Sequence, residues 1–321
     1  MSGSNERTVL VLGATGGIGG SVARTLRGRG WHIRALGRDA AGAARKEPGF
    51  EWVQGDAMNA GDVLAAAQGV SLIVHAVNPP GYRDWDKLVL PMLDNTIAAA
   101  CAVGARILFP GTVYNFGPDA FPTLTEASPQ HPRTRKGAIR VEMERRLEAA
   151  AREGTGVIIV RAGDFFGPGA ANNWFSGGLV TPGKPVTTIK NPARRGVGHQ
   201  WAYLPDVAET MARLAERAEQ LPSFAVYHMA GTFDSDGTEM VAAIQRAVGG
   251  AKAAAFPWWL VPLAAPFVRF MRELAEMRYL WREPLRMTSD RLVAELGEEP
   301  HTPIDDAVRT TLAALGCLPR S

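Results

Sequence analysis

Thr8-Val9-Leu10-Val11-Leu12-Gly13-Ala14-Thr15-Gly16-Gly17-Ile18-Gly19 decides the fold of this 321-residue chain. Thr8 to Leu12 is a continuous run of apolar and β-branched residues closed by a glycine, the pattern of a buried parallel strand. Apolar residues then recur at helical spacing through Ile18, Val22 and Leu26. Between strand and helix, each of Gly13, Gly16 and Gly19 has a task. One allows the tight turn, one lets the backbone approach a pyrophosphate, and one lets helix and strand pack closely. The helix N-terminus adds unpaired N–H groups and the positive end of its dipole. A glycine string is weak on its own; strand before and helix after make it informative. Gly13, Thr15, Gly16, Gly17, Ile18 and Gly19 are therefore expected to cradle a dinucleotide.

The second strand ends about twenty residues further on, at Gly37-Arg38-Asp39. An acid at that tip accepts from the ribose hydroxyl of NAD, whereas an arginine accommodates the 2′-phosphate of NADP. Arg38 occupies the tip, so NADP(H) is the expected cofactor. Asp39, one place later, carries the NAD(H) alternative.

Strands and helices alternate through the rest of this half. Strands are expected at 31–36, 51–53, 70–76, 106–109 and 156–161, with helices at 60–68, 85–103 and 136–152. Such alternation means right-handed βαβ crossovers and a parallel sheet covered on both faces. Beyond Gly167 the pattern loosens, with Pro182, Pro185 and Pro192 in a loop-rich stretch. A helix at 204–217, a strand at 225–229, a helix at 238–248 and a helical, aromatic tail follow. The expected fold is α/β, a Rossmann doubly wound parallel sheet with a smaller, mostly helical C-terminal substrate lobe. Residues 1–166 form the dinucleotide-binding domain, with 196–230 returning to it; 167–195 and 231–321 form the lobe.

Composition excludes several other classes. Basic and acidic residues number 35 and 32, and a net charge of +3 provides no bulk-charge surface for nucleic acid. Cys101 and Cys317 provide neither a disulfide framework nor a zinc motif. The six histidines show no metal spacing and are expected to be structural; no metal is expected. No Gly-x-Ser-x-Gly elbow is present. The N-terminal residues are polar, and the most apolar stretch, 253–268, is interrupted by Pro257, Pro262 and Pro266. A cytoplasmic protein without an integral membrane segment is expected.

Further along, the chain resembles the extended or atypical branch of the short-chain dehydrogenase/reductases, the epimerase/dehydratase-like group. The resemblance rests on Gly13, Gly16 and Gly19, on Gly55-Asp56 after the third strand, and on Val74-His75-Ala76 at the fourth. Asn95, Arg161-Ala162-Gly163-Asp164-Phe165-Phe166-Gly167-Pro168 and Ala202-Tyr203-Leu204-Pro205-Asp206 extend it from about residue 8 to 316. It implies an adenine contact at Asp56 and a cofactor surface at Ala76 and Val77. It also implies a homodimer built on the helices near 85–103 and 136–152, where Leu88, Leu90, Leu93 and Ile97 supply apolar residues.

The family's catalytic pieces are partly present. Its Ser or Thr after the fifth strand falls on Thr112. Its Tyr-x-x-x-Lys falls, anchored on Glu144, on Lys136 and Arg140, so the spacing stays while both identities change. By this resemblance Thr112, Lys136 and Arg140 are the catalytic candidates, with Arg140 also holding the cofactor ribose. An arginine stays protonated and is a poor general acid. Tyr114, Tyr203, Asp164 or water are alternative proton sources. Tyr114, Asp164, Asn173, Trp174 and Tyr203 are the expected substrate-binding residues, together with neighbouring Asn172. The aromatic set Phe256, Trp258, Trp259, Phe267 and Phe270 with Met271 reads as core packing. The expected activity is NADP-dependent oxidoreduction at a carbonyl or alcohol carbon of a small molecule. A nucleotide-sugar-type epimerase or dehydratase, or a non-enzymatic NADP-binding sensor, are the alternatives.

Overall fold

A computed structural model describes residues 7–79, 84–170, 173–265 and 275–319. Its first strands are β1 (Thr8–Leu12), β2 (His32–Gly37), β3 (Glu51–Gln54), β4 (Leu72–His75), β5 (Arg106–Thr112) and β6 (Thr123–Leu124). They are followed by β7 (Val157–Ala162), β8 (Asp164–Phe166), β9 (Thr188–Asn191), β10 (His199–Tyr203) and β11 (Phe224–His228). The last are β12 (Thr232–Asp234), β13 (Lys252–Ala255) and β14 (Arg286–Met287). The helices are α1 (Gly17–Gly28), α2 (Ala40–Lys46), α3 (Ala60–Ala66), α4 (Trp85–Val103) and α5 (Arg135–Arg152). The later ones are α6 (Leu204–Glu216), α7 (Glu239–Val248), α8 (Leu260–Ala264), α9 (Asp290–Leu296) and α10 (Ile304–Ala314).

The chain divides into two compact units. The first comprises 1–111, 139–161 and 207–227. It is built on a seven-stranded sheet of order β11-β7-β5-β4-β1-β2-β3. β1 pairs in parallel with both β2 and β4, so the strand order reverses beside β1. That reversal is where a doubly wound sheet opens a crevice for ligands. Because helices cover both faces, the central strands are apolar throughout: Val9, Leu10, Val11, Ile73, Val74 and Ile107 are fully buried. Leu93 and Val89 on α4 and Met143 and Leu147 on α5 pack into the same core. Leu93 thus faces the sheet, while Leu90 and Ile97 are partly buried against it.

Local signals set the helix ends. Asp39 caps α2 by accepting from the Gly42 N–H, and Asn59 caps α3 by accepting from Gly61 and Asp62. α4 stops at Gly104, whose φ of 69° is left-handed backbone that favours glycine.

The second unit comprises 112–138, 162–206 and 228–321. Besides its helices it holds a three-stranded sheet, β12-β10-β8, and two two-stranded ladders, β13-β9 and β14-β6. Its core is aromatic, with Phe116, Phe166, Phe175, Trp201 and Trp281 all buried. Phe256 and Trp258 pack against that core, as the aromatic reading of the tail expects, whereas Trp259 is exposed. Phe267, Phe270 and Met271 lie outside the described residues, as does Asn172. Among the described residues no helix is long and apolar enough to cross a membrane, and no cluster of potential metal ligands occurs.

Candidate active site

In the first unit the β1–α1 turn is shaped by backbone contact. Gly13 has φ 93°, and a Cβ there would lie 2.5 Å from the Ala76 carbonyl oxygen and 2.7 Å from the Val77 nitrogen. A Cβ on Gly19 would lie 2.3 Å from the Gly13 carbonyl oxygen. The turn, the start of α1 and the end of β4 therefore meet main chain to main chain. Gly16 precedes α1 without a side-chain cap, and the first turn of the helix carries no acidic residue. Thr15 and Gly16 are exposed, and Gly17 and Ile18 are half-buried. This surface of N–H groups, with room only for glycine behind it, fits a dinucleotide pyrophosphate.

At the tip of β2, Arg38 is exposed, and its carbonyl accepts from Gln54 Nε2 at 2.7 Å. The Asp39 carboxylate is engaged in capping α2, at 2.9 Å from the Gly42 nitrogen. Asp56 is half-buried, and its Oδ1 accepts from the Met58 N–H at 3.0 Å. Asn95 donates to the Ala57 carbonyl at 2.9 Å and ties α4 to the loop that carries Asp56.

Arg140 lies over the rings of Trp85 and Phe109, 5.4 and 5.5 Å from their centroids, and donates to the Pro110 carbonyl at 3.3 Å. Near it, His75 is fully buried, with Nδ1 2.8 Å from Thr96 Oγ1 and Nε2 without a hydrogen-bond partner. Burial, reinforced by the Arg140 charge, pushes His75 down to about 3. The native imidazole is neutral, whereas the unfolded chain takes up a proton below about 6.5. Stability should therefore fall as pH drops from about 6.5 toward 3, with a slope from this group of up to about 1.4 kcal/mol per pH unit. Melting curves of His75→Asn and the parent chain between neutral and mildly acidic pH check this. The parent should lose more stability on acidification, and equal slopes would rule the effect out.

The second unit holds the remaining polar candidates. Thr112 is buried, and its Oγ1 accepts from the Tyr114 N–H at 3.2 Å, capping the tight turn that presents Tyr114. The Tyr114 phenol donates to Asp164 Oδ1 at 3.1 Å, and Asp164 Oδ2 lies 2.9 Å from His199 Nε2. His199 stacks flat on Trp281, with centroids 3.6 Å apart and planes 7° from parallel. The first turn of α5 closes on the same place, since a Cβ on Gly137 would lie 2.2 Å from the Tyr114 carbonyl oxygen. One residue earlier, Lys136 is buried rather than solvated. Its ammonium is 3.8 Å from Glu276 Oε2, and its N–H donates to Glu276 Oε1 at 3.0 Å.

Three expected pocket residues are engaged in folding. Tyr203 is 7% exposed and packs on Phe166 at 5.3 Å. Burial pushes its phenol up, against a hydrogen bond to Thr310. Asn173 closes its own loop, donating to the Ala170 carbonyl and accepting from the Ser176 N–H, each at 2.8 Å. Trp174 is buried and meets Trp281 edge-on at 5.0 Å. His199 and Glu276 have no signature in sequence, because their partners are 35 and 140 residues away.

The second unit also contains a cavity of about 460 Å3 whose lining includes Arg194, Arg278, Arg282, Glu283, Trp258 and Trp281. The Arg278 guanidinium lies 5.3 Å from the Trp258 ring centre, and its buried Nε has no hydrogen-bond partner. Three guanidiniums and two indoles suit an anion attached to a flat ring.

The sequence profile of the NAD dependent epimerase/dehydratase family matches residues 9–230. The protein y4nL of Sinorhizobium fredii (strain NBRC 101917 / NGR234), itself uncharacterized, is 30% identical over 187 residues. That alignment covers 51% of this chain and 52% of y4nL, so the chain spans about half the length of the curated relative it matches. Among solved structures, UDP-glucose 4-epimerase from Bifidobacterium longum, in complex with NAD+ and UDP, superposes with TM-score 0.71 at 14% identity, over 95% of this chain and 97% of that one. UDP-glucuronic acid 4-epimerase from Bacillus cereus, in complex with UDP-glucuronic acid and NAD, gives 0.73 at 14% identity, over 96% and 98%. At such identities the likeness establishes the fold.

Proposed function

Because the chain belongs to the NAD-dependent epimerase/dehydratase family, we propose that it is an NADP-linked enzyme that oxidises a carbinol carbon of a nucleotide-linked sugar or reduces the corresponding carbonyl carbon. The epimerase/dehydratase alternative is favoured over a simple carbonyl reductase by the family match. The observation that carries the reading is the fit at the β1–α1 turn, where Gly13 and Gly19 leave space for main chain alone. When bound, the dinucleotide supplies a two-electron acceptor or donor. Thr112 steadies the substrate oxygen, and Arg140 holds the nicotinamide ribose. The Lys136–Glu276 pair fixes the start of α5 instead of moving a proton. The arginine- and tryptophan-lined cavity supports a substrate that carries phosphate and a flat base.

Asp39 spends its carboxylate on the cap of α2 and leaves Arg38 at the strand tip, which supports NADP over NAD. NADPH should bind more tightly than NADH in a fluorescence titration, because a 2′-phosphate gains charge-assisted hydrogen bonds from arginine. Arg38→Asp should erase or reverse the preference. Equal binding of the two cofactors by the parent chain would remove Arg38 from the site.

Turnover is tested by incubating the NADP+-loaded chain with UDP-glucose and UDP-glucuronic acid, following nicotinamide fluorescence and sugar configuration. The replaced Tyr-x-x-x-Lys favours one other reading, a dinucleotide sensor. Tight NADPH binding without turnover of either sugar would support it.

A further inference from the structure

The half-buried phenol of Tyr114 stands at one end of a chain of hydrogen bonds through Asp164 to His199 and the Leu280 carbonyl. The chain has a defined polarity. A carbonyl can only accept, so His199 Nδ1, 3.2 Å from the Leu280 oxygen, carries a hydrogen. His199 Nε2 lies 2.9 Å from Asp164 Oδ2, within reach of a shared proton. Asp164 Oδ1 accepts from the Tyr114 phenol. Asp164 and His199 are both buried, and the indole of Trp281 covers one face of the imidazole. The space beside them, lined by Val113, Gln200, Leu280 and Leu285, is about 10 Å3, room for no more than a water. No substrate reaches His199 there, so it acts through Asp164.

We propose that Tyr114 is the proton-transferring residue of this chain, with Asp164 and His199 as positioning residues, and that it replaces the tyrosine that position 136 lacks. This rests on the redox reading above. As the carbinol C–H bond breaks, its two electrons and hydrogen leave to a nicotinamide dinucleotide. The substrate O–H proton passes to Tyr114 Oη while the phenol proton moves to Asp164 Oδ1. Carbinol becomes carbonyl, the dinucleotide is reduced, and one proton is stored on the Asp164–His199 pair. Reversal returns it. Among the other described tyrosines, Tyr203 and Tyr227 are core residues. Tyr279 is held protonated, since burial and then the charges of Asp164 and Glu276 push its phenol well above the usual tyrosine range. Among the described residues Tyr114 and Tyr279 face Asp164, and Glu276, paired with Lys136, and Arg133 act on Tyr279.

The test uses the full chain loaded with NADP+ and supplied with UDP-glucose or UDP-glucuronic acid. Tyr114→Phe should lower turnover a hundredfold or more while leaving NADPH affinity unchanged. Asp164→Asn and His199→Gln should move the limbs of the pH–rate profile, a readout that loss of packing alone leaves in place. Near-parental turnover by Tyr114→Phe, or an unmoved profile in both other variants, would overturn the proposal. If the parent chain binds NADPH but turns over neither sugar, the redox reading fails separately. The relay is then judged by NMR of the chain labelled at tyrosine Cζ and histidine nitrogens. A Tyr114 resonance that shifts in Asp164→Asn and in His199→Gln, with His199 Nδ1 protonated, supports it; a resonance indifferent to both overturns it.

Discussion

Glu144→Ala should destabilise the protein by about 3–5 kcal/mol, the usual cost of removing one member of a buried ion pair. Glu144 and Arg161 are 4% and 2% exposed, and Arg161 Nη2 donates to Glu144 Oε2 at 2.5 Å while Nε lies 3.1 and 3.2 Å from the two carboxylate oxygens. The pair joins α5 to β7 inside the first unit. Arg161 cannot readily swing toward water, because its Cγ is pressed against Gly111, where a Cβ would lie 2.5 Å away. Against a typical total stability of about 5–15 kcal/mol, the loss is about a fifth or more. Urea unfolding should show a large drop in midpoint at unchanged slope. Replacing both partners, Glu144→Leu with Arg161→Met, should recover much of it, because no unpaired charge is left buried. A loss below about 1 kcal/mol for the single variant would mean that water reaches the guanidinium.

Gly13→Val should abolish dinucleotide binding. A β-branched residue at φ 93° is strained, and its Cβ would stand 2.5 Å from the Ala76 carbonyl. The β1–α1 turn must then move away from β4, taking with it the N–H groups that face the phosphates. Isothermal titration with NADPH should give no saturable signal, with circular dichroism reporting the folded state. Two further glycines, one just before α1 and one at its end, serve as graded controls. Gly16→Ala meets its nearest atom, the Gly13 carbonyl oxygen, at 3.2 Å and should weaken binding only partly. Gly28→Ala meets nothing within 4 Å and should leave binding intact. Parental affinity in Gly13→Val would dissociate the turn from cofactor binding.

The glycine turn was legible because everything it needs is local. Strand, turn and helix are contiguous, and positions 13, 16 and 19 meet each other and the end of β4 through the backbone. Helix α4 was legible for the same reason: its apolar face and its glycine stop place it at Trp85–Val103, as the periodicity expects. Helix α2 went unread although Asp39 signals its start, because its seven residues are too few for a clear period. Strands β8, β12 and β14, of three, three and two residues, are shorter still. Above all, the sequence by itself determined which polar residues the chain has, but not which of them meet. Lys136 stood as a catalytic candidate by the family's spacing, and only folding placed Glu276, from 140 residues away, against it. His199 looked like a structural histidine until β8 and β10 paired side by side and set its imidazole on Asp164. Periodicity records which face of an element is buried; the partner of a buried polar group is chosen by how distant elements pack, and tertiary structure alone decides that.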